Sequence, residues 1–580
     1  MAVLSHPLAV DDPPMMPRDA KPNAAIYFAA DGYDPTAKGI NGRRVAGESF
    51  IRGFFRHADV QEFVSFLPKA SESAHFDRLA GEERPDLPRR HLALRQGAQL
   101  AGVGTLYYPS PNFGAEAWRR AAAGAAAWSI CGVTHTISTK GVMQGFLDLR
   151  MAPQMEWDAV ICTSRAVQSA VLTQLELIDD HLRARFGGGI PARPQLPVIP
   201  LGIDTAAFVP DKAAGAALRK RLGLGAKDVL FTTIARLTPF EKFDPYPLYL
   251  ALQQAQAAMP KGKRLHLALC GIFNDDYSRK VFESGAPALM PDVGFHLLDG
   301  AKAEERKAVL SGADAFVFAI DNIQETFGLA PIEAMAAGLP VVVSDWDGMR
   351  DTITADVGIR VPTRTLAPAH AEAEGFRHIT GVDSYGQYCS LTSQMTAIDV
   401  SALAGALQAL ALDAGLRARL GAAGQARARA LYDWAAVIPQ MQALWAELAT
   451  RRAAAGPARH PPVARGTMPI GPSPFLLFGS YPTRAAGFDT ARFVAMPLQG
   501  RPGVTETLAL RNYGGIGRST ERAEDFAALY DRILAAGAEG AARSALLTTS
   551  GKTPVTLDRL LIWLLKYDFI RLSGEDQSRK

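Results

Sequence analysis

The stretch Gln324–Ser344, QETFGLAPIEAMAAGLPVVVS, decides how this chain is read. It carries two carboxylates eight positions apart, Glu325 and Glu333. Between and beyond them lie a helix pattern, Leu329–Ala337, closed by Gly338, and an apolar strand pattern, Pro340–Ser344. Another strand pattern, Asp314–Ile320, precedes the stretch. Strand, loop, helix, strand is the repeating unit of a parallel sheet covered on both faces. Glu325 then falls on the loop, and Pro331, a residue suited to a helix start, places Glu333 in the first helical turn. Such a start, at Gly328, Leu329 and Ala330, presents unpaired N–H groups and the positive end of the helix dipole, which suits a diphosphate. A carboxylate in the first turn can accept the two vicinal hydroxyls of a ribose. One on the preceding loop can face a sugar hung from the β-phosphate.

Toward the N-terminus the same alternation continues. Val229–Ile234, Leu265–Cys270 and Phe295–Leu298 read as strands, Pro247–Ala258 and Ala303–Ser311 as helices. Before Asp228 stands a second, dissimilar alternation. It begins with AAIYFAA at Ala24–Ala30 and a loop carrying Gly39 and Gly42, where backbone can approach a ligand. A helix pattern runs through Arg56, and strand patterns follow at Thr105–Tyr108, Ile130–His135, Ala159–Thr163 and Pro197–Pro200. Two such α/β units leave a cleft at the carboxyl ends of their strands. Directly after Val229–Ile234 comes ARLTPFEK, Ala235–Lys242. Breaking a sugar–phosphate bond puts negative charge on the departing diphosphate, and a metal or fixed cations must meet it. Arg236 offers a planar fork and Lys242 a point charge.

The Glu-x7-Glu pair in ETFGLAPIEAMAAGLPVV resembles the signature of glycosyltransferase family 4, and the other motifs follow in that family's order over roughly residues 24–450. ICGVTH resembles the strand ending in the family's active-site histidine, here His135. DAVICTSR resembles its serine-bearing strand end, and PVIPLGIDTAAFVP its interdomain stretch. Arg236 and Lys242 resemble its phosphate-binding pair, and Asp347–Asp351 its glycine turn ending in an acid. Departures are Ala235 in place of a glycine, a longer Arg–Lys gap, Asp351 in place of a glutamate, and an insertion at 364–395 rich in Tyr, Gln, Ser and His. The resemblance implies a GT-B fold, two Rossmann-like domains facing a cleft, and retaining transfer from a nucleotide-diphosphate sugar without metal or other cofactor. It implies Glu325 and His135 as catalytic, and Arg236, Lys242, Glu333, Gly328, Leu329, Ala330, Gly39 and Gly42 as donor-binding. The acceptor is open. A donor-binding scaffold without catalysis and a nucleotide-sugar epimerase on the same fold are the alternatives.

Composition bounds the rest. The chain has 580 residues, enough for several domains, with 48% apolar and 21% charged residues. A net charge of +4 is too mild for a nucleic-acid binder. The four cysteines form no CxxC pair, and their apolar neighbours point to buried thiols. No apolar run reaches membrane-spanning length, and the N-terminus lacks a signal-peptide core, so a cytoplasmic protein is expected. The basic helix Arg43–His57 admits peripheral contact with anionic lipid, though a solvated helix face is the commoner reason for such a pattern. Asp345-Trp346-Asp347 spells Asp-x-Asp, too short a motif to argue for metal. The expected organisation is a tail, 1–22; an acceptor domain, 23–215; a donor domain, 216–450; a Pro/Gly-rich linker, 451–474; and an accessory domain, 475–580, whose end, LDRLLIWLLKYDFIRL, looks like a winged-helix tail.

Overall fold

The computed structural model describes residues 22–34, 42–483, 487–512 and 521–573. The chain divides into two units, Met1–Ala464 and Arg465–Lys580.

The first unit holds two parallel sheets. One is built from β1 (Ala25–Tyr27), β2 (Phe63–Leu67), β3 (Arg89–Ala93), β4 (Thr105–Tyr108), β5 (Ser129–Val133) and β6 (Ala159–Ile161), in the order β3-β2-β1-β4-β5-β6. The other is built from β7 (Val229–Arg236), β8 (Leu265–Ile272), β9 (Gly294–Asp299), β10 (Ala315–Phe318), β11 (Val341–Ser344) and β12 (Gly358–Val361), in the order β12-β11-β10-β7-β8-β9. Both orders are the doubly wound one. The chain goes to one side of the first strand, then returns to pair on its other side. That reversal opens a crevice between β1 and β4, and another between β7 and β10, where ligands of open sheets bind. The central strands are continuous apolar runs because helices cover both faces; AFVF in β10 and VVVS in β11 are wholly buried. The two-Rossmann-domain expectation is therefore met. β2, β3 and β12 were not legible as strands: FVSFL is too short to separate a buried strand from a helix segment by periodicity.

One element stands on the other side from where the sequence put it. Residues 434–450 fall in the expected donor domain, 216–450, but the helix Trp434–Ala455 completes the core of the first domain. Trp434, Ile438, Trp445 and Leu448 share a buried cluster with Phe50, Phe54, Phe63 and Tyr107. The fit of Trp434 requires glycine on two neighbours. A Cβ on Gly53 would stand 2.3 Å from its Cγ, and one on Gly202 2.5 Å from its Cδ2. The chain thus passes twice between the domains, and the two passages are bonded to each other. Ile203 N donates to Tyr432 O at 2.7 Å, and Trp434 N donates to Ile203 O at 3.1 Å. The expected linker also starts as ordered structure. Arg451–Ala455 ends the helix, Arg452 Nη1 donates to Ser129 Oγ at 2.7 Å, and Val463 N donates to Ala121 O at 2.8 Å.

The insertion is a small subdomain. β13 (Thr363–Thr365) pairs antiparallel with β14 (Thr396–Ile398), and the helices Glu372–Thr380 and Tyr385–Gln394 lie between them. In the second unit, β15 (Arg492–Ala495) pairs antiparallel with β16 (Ala541–Ala542) and β17 (Ile570–Leu572). Helices Ala523–Ala535 and Pro554–Lys566 cover this sheet with a core of its own, including Phe493, Phe526, Ile533, Leu561 and Phe569.

All four cysteines are free and buried. Among the described residues no helix is long and apolar enough to cross a membrane. On the basic helix, Gly42–His57, three arginines are ion-paired. Arg44 pairs with Asp31 at 2.6 Å, Arg52 with Glu48, Glu82 and Glu83 at 2.8–3.2 Å, and Arg56 with Glu83 and Asp204 at 2.9 and 2.7 Å.

Candidate functional site

The crevice between β7 and β10 gathers most of the residues singled out in the sequence. β7 ends at Arg236, and Lys242 follows on a turn whose N–H groups at Lys242 and Phe243 both donate to Thr238 O, at 3.2 and 3.3 Å. The loop after β10 is shaped by Asn322, which is fully buried. Its Nδ2 donates to Phe240 O at 2.8 Å, its Oδ1 accepts from Gln324 N at 3.0 Å, and its carbonyl accepts from Trp346 Nε1 at 3.1 Å. One residue, through its side chain and its carbonyl, thus ties together the turns that follow β7, β10 and β11. The sequence reading missed it, since an isolated asparagine carries no motif.

Glu325 is the centre of this arrangement. It forms an ion pair with Lys242, and its Oε1 accepts from Gly328 N at 3.1 Å and Thr326 N at 3.3 Å. Burial pushes its carboxyl upward, but Lys242 and the two N–H donors outweigh it and hold the group below the ordinary glutamate value. Glu325 is therefore an anion at neutral pH. Arg236 donates to Gln324 and pairs with Glu241 at 3.3 Å.

The helix after Glu325 is Leu329–Ala336, with Gly328 as its N-cap at φ 84°, a left-handed conformation that glycine adopts without strain. Its first N–H groups lack intrahelical acceptors. The left-handed cap starts the helix before Pro331. Glu333 is consequently its fifth residue, one turn beyond the first turn expected from the proline. Burial raises the Glu333 carboxyl to about 6, against the opposing charge of Arg306, whose Nη1 donates to Gly300 O at 2.6 Å. A ribose held by this carboxylate should therefore bind less well as pH falls below about 6, where the group takes up a proton. Isothermal titration with free UDP and GDP between pH 5 and 8 reads this directly. Glu333→Ala should raise donor KM with little change in kcat, and Glu333→Gln should abolish the pH limb. Retention of that limb in Glu333→Gln would assign it to another group.

The other Rossmann domain meets this loop across the cleft. Ser164 Oγ donates to Thr326 O at 3.2 Å, Thr136 Oγ1 to Gln324 O at 3.4 Å, and Arg165 pairs with Asp351 at 3.0 Å. Tyr385, on the insertion, shares a hydrogen bond with Ser138 at 2.9 Å. Between the domains lies an open cavity of about 500 Å³, with Ser138, Gln174, Glu325, Asp347 and Tyr388 in its wall. His135 borders a different cavity, about 200 Å³, at the carboxyl end of the first sheet, with Tyr27, Asp31, Tyr108 and Trp434. The two residues expected to be catalytic thus line neighbouring spaces. Gly42 opens the helix that flanks this second cavity, whereas Gly39 lies outside the described residues. Among the described residues no group of three or more His, Cys, Asp or Glu is placed to hold a metal ion. Asp345 pairs with Arg360 at 3.2 Å.

Residues 216–376 match the family described as Glycosyl transferases group 1. The GDP-mannose-dependent alpha-(1-6)-phosphatidylinositol monomannoside mannosyltransferase of Mycolicibacterium smegmatis is 28% identical over 183 residues, 30% of this chain and 45% of that protein. The D-inositol 3-phosphate glycosyltransferase of Corynebacterium efficiens is 29% identical over 316 residues, 53% of this chain and 63% of that protein. The chain spans about half the length of the curated relatives it matches. A solved structure of Anabaena HepE in complex with UDP aligns with 73% of this chain and 99% of that one, at 16% identity and a TM-score of 0.46.

Proposed function

We propose that this protein, whose residues 216–376 carry the group 1 glycosyl transferase domain, moves a sugar from a nucleotide-diphosphate donor to a hydroxyl acceptor, with retention of configuration and without a metal. The observation that carries this reading is the Glu325–Lys242 pair at the β7/β10 crevice, beside Arg236 and a helix N-terminus. The helix start and the two cations supply positive potential for the diphosphate before reaction, and more of it is needed as the sugar–phosphate bond lengthens. Glu325 is an anion where the sugar attached to that diphosphate would lie, next to the carbon on which positive charge grows. Glu333 takes the ribose.

The test is slow hydrolysis and thermal shift with UDP-glucose, UDP-galactose and GDP-mannose. Stabilisation by at least one of them, with release of the free nucleotide, is the expected outcome. No stabilisation and no release from any donor of a wider panel would refute the reading. Turnover should also survive EDTA, because fixed cations already meet the diphosphate. Complete loss restored by Mg²⁺ or Mn²⁺ would give the leaving-group role to a metal and return Asp345 and Asp347 to consideration as its ligands.

A further inference from the structure

Asp347 follows β11 on the turn that closes one wall of the interdomain cavity. Its φ is 40°, a left-handed conformation in which an aspartate is strained and a glycine is not. Its Oδ1 accepts from Gly348 N, and its Oδ2 is buried with no hydrogen-bond partner. A strained residue with an orphaned polar atom in the wall of a ligand cavity calls for a partner that the protein itself does not supply.

We propose, on the basis of the donor-sugar reading above, that Asp347 reads the transferred sugar: its Oδ2 is the hydrogen-bond partner of one sugar hydroxyl, and this contact sets which hexose is accepted. The surroundings say in which form it acts. Facing it are Glu325 from the loop after β10 and Lys242 from the turn after β7; Asp345 and Arg350 stand on its own turn, Asp345 beside Arg360. The first domain and the insertion contribute only uncharged side chains to the cavity, among them Ser138, Gln174, Thr365 and Tyr388. Lys242 is already bound to Glu325. Burial first, and the Glu325 anion second, therefore hold the Asp347 carboxyl well above its ordinary value. Two neighbouring carboxyls are thus biased in opposite directions: Glu325 toward the anion, an acceptor, and Asp347 toward the protonated form, which can donate.

The experiment compares wild type, Asp347→Gly and Asp347→Asn in the full chain. Each is titrated calorimetrically with UDP, GDP, UDP-glucose, UDP-galactose and GDP-mannose at pH 6 and pH 8, beside hydrolysis of the preferred donor. Asp347→Gly relieves the backbone strain, so its Tm should hold or rise. It should bind the free nucleotide as wild type does but the preferred sugar nucleotide about tenfold more weakly, with the preference among sugars narrowed. Asp347→Asn keeps a donor group. It should retain the preference, and should lose any weakening that wild type shows between pH 6 and pH 8. If wild type binds its sugar nucleotide and Asp347→Gly keeps the full sugar preference, the inference fails while the function stands. If wild type binds neither nucleotides nor sugar nucleotides, the function itself fails, and this inference with it.

Discussion

Lys242→Ala is expected to lower kcat/KM for the nucleotide-sugar donor by about 3 kcal/mol, roughly 10²-fold, and to weaken free nucleoside diphosphate in the same assay. Two losses combine. The ammonium is one of the fixed charges offered to the diphosphate, and it is the counter-ion of the buried Glu325. Without it the Glu325 carboxylate is left unpaired in a desolvated position, so it takes up a proton and is no longer an anion at the sugar. The stability signature has a definite sign. In wild type the Glu325 value is depressed, so the pair stabilises the fold above the unfolded glutamate value and that contribution is lost as pH falls. In Lys242→Ala burial is opposed only by the N–H groups of Gly328 and Thr326, the value rises, and the stabilisation that wild type gains with rising pH shrinks. The difference in Tm between the two proteins should therefore widen from pH 4 to pH 7. Normal nucleotide affinity and normal turnover in Lys242→Ala would place the phosphate site elsewhere.

Glu325→Gln should leave free-nucleotide affinity and donor KM close to wild type while lowering kcat by roughly 10²- to 10³-fold, the scale of a lost electrostatic contact at a reacting centre. The amide is isosteric, and its oxygen can still accept from Gly328 N, so the start of the helix Leu329–Ala336 keeps its geometry. What disappears is the negative charge beside the developing cation. Single-turnover hydrolysis of the preferred donor isolates the chemical step from product release. A variant with unchanged kcat would show that Glu325 is structural, its service being the cap on Gly328 and the pairing of Lys242.

Much of this was legible before any coordinates, and the reason is locality. Strand, loop and helix around Glu325 are set by residues adjacent in sequence, and the crevice follows from the strand order that such alternation produces. Glu333 was placed one turn early because Pro331 is a good start signal, whereas the left-handed Gly328 starts the helix sooner. The donor-domain bound, 216–450, took in most of the helix Trp434–Ala455 because a sequence names an apolar face and not its partner. Only the recess between Gly53 and Gly202, far away in sequence, says which core it fills. Asp347 read as half of a weak metal motif. Its φ, its orphaned Oδ2 and its neighbour Glu325 exist only in the folded chain. Asn322 left no trace at all, although it ties three turns together.

The return of Trp434–Ala455 to the first domain also bears on how the protein is made. The apolar surface of Phe50, Phe54 and Tyr107 emerges from the ribosome long before the helix that covers it. All of β7–β12 is translated in between, which at about 5–20 residues per second leaves that surface open for on the order of ten seconds or more. The second domain, continuous in sequence, can fold during this interval, and the first can close its core only afterwards. A ribosome stalled before Trp434 should therefore carry a protease-resistant second domain beside a protease-sensitive first one. Chaperone demand in the cell should fall on the half of the molecule that is synthesised first.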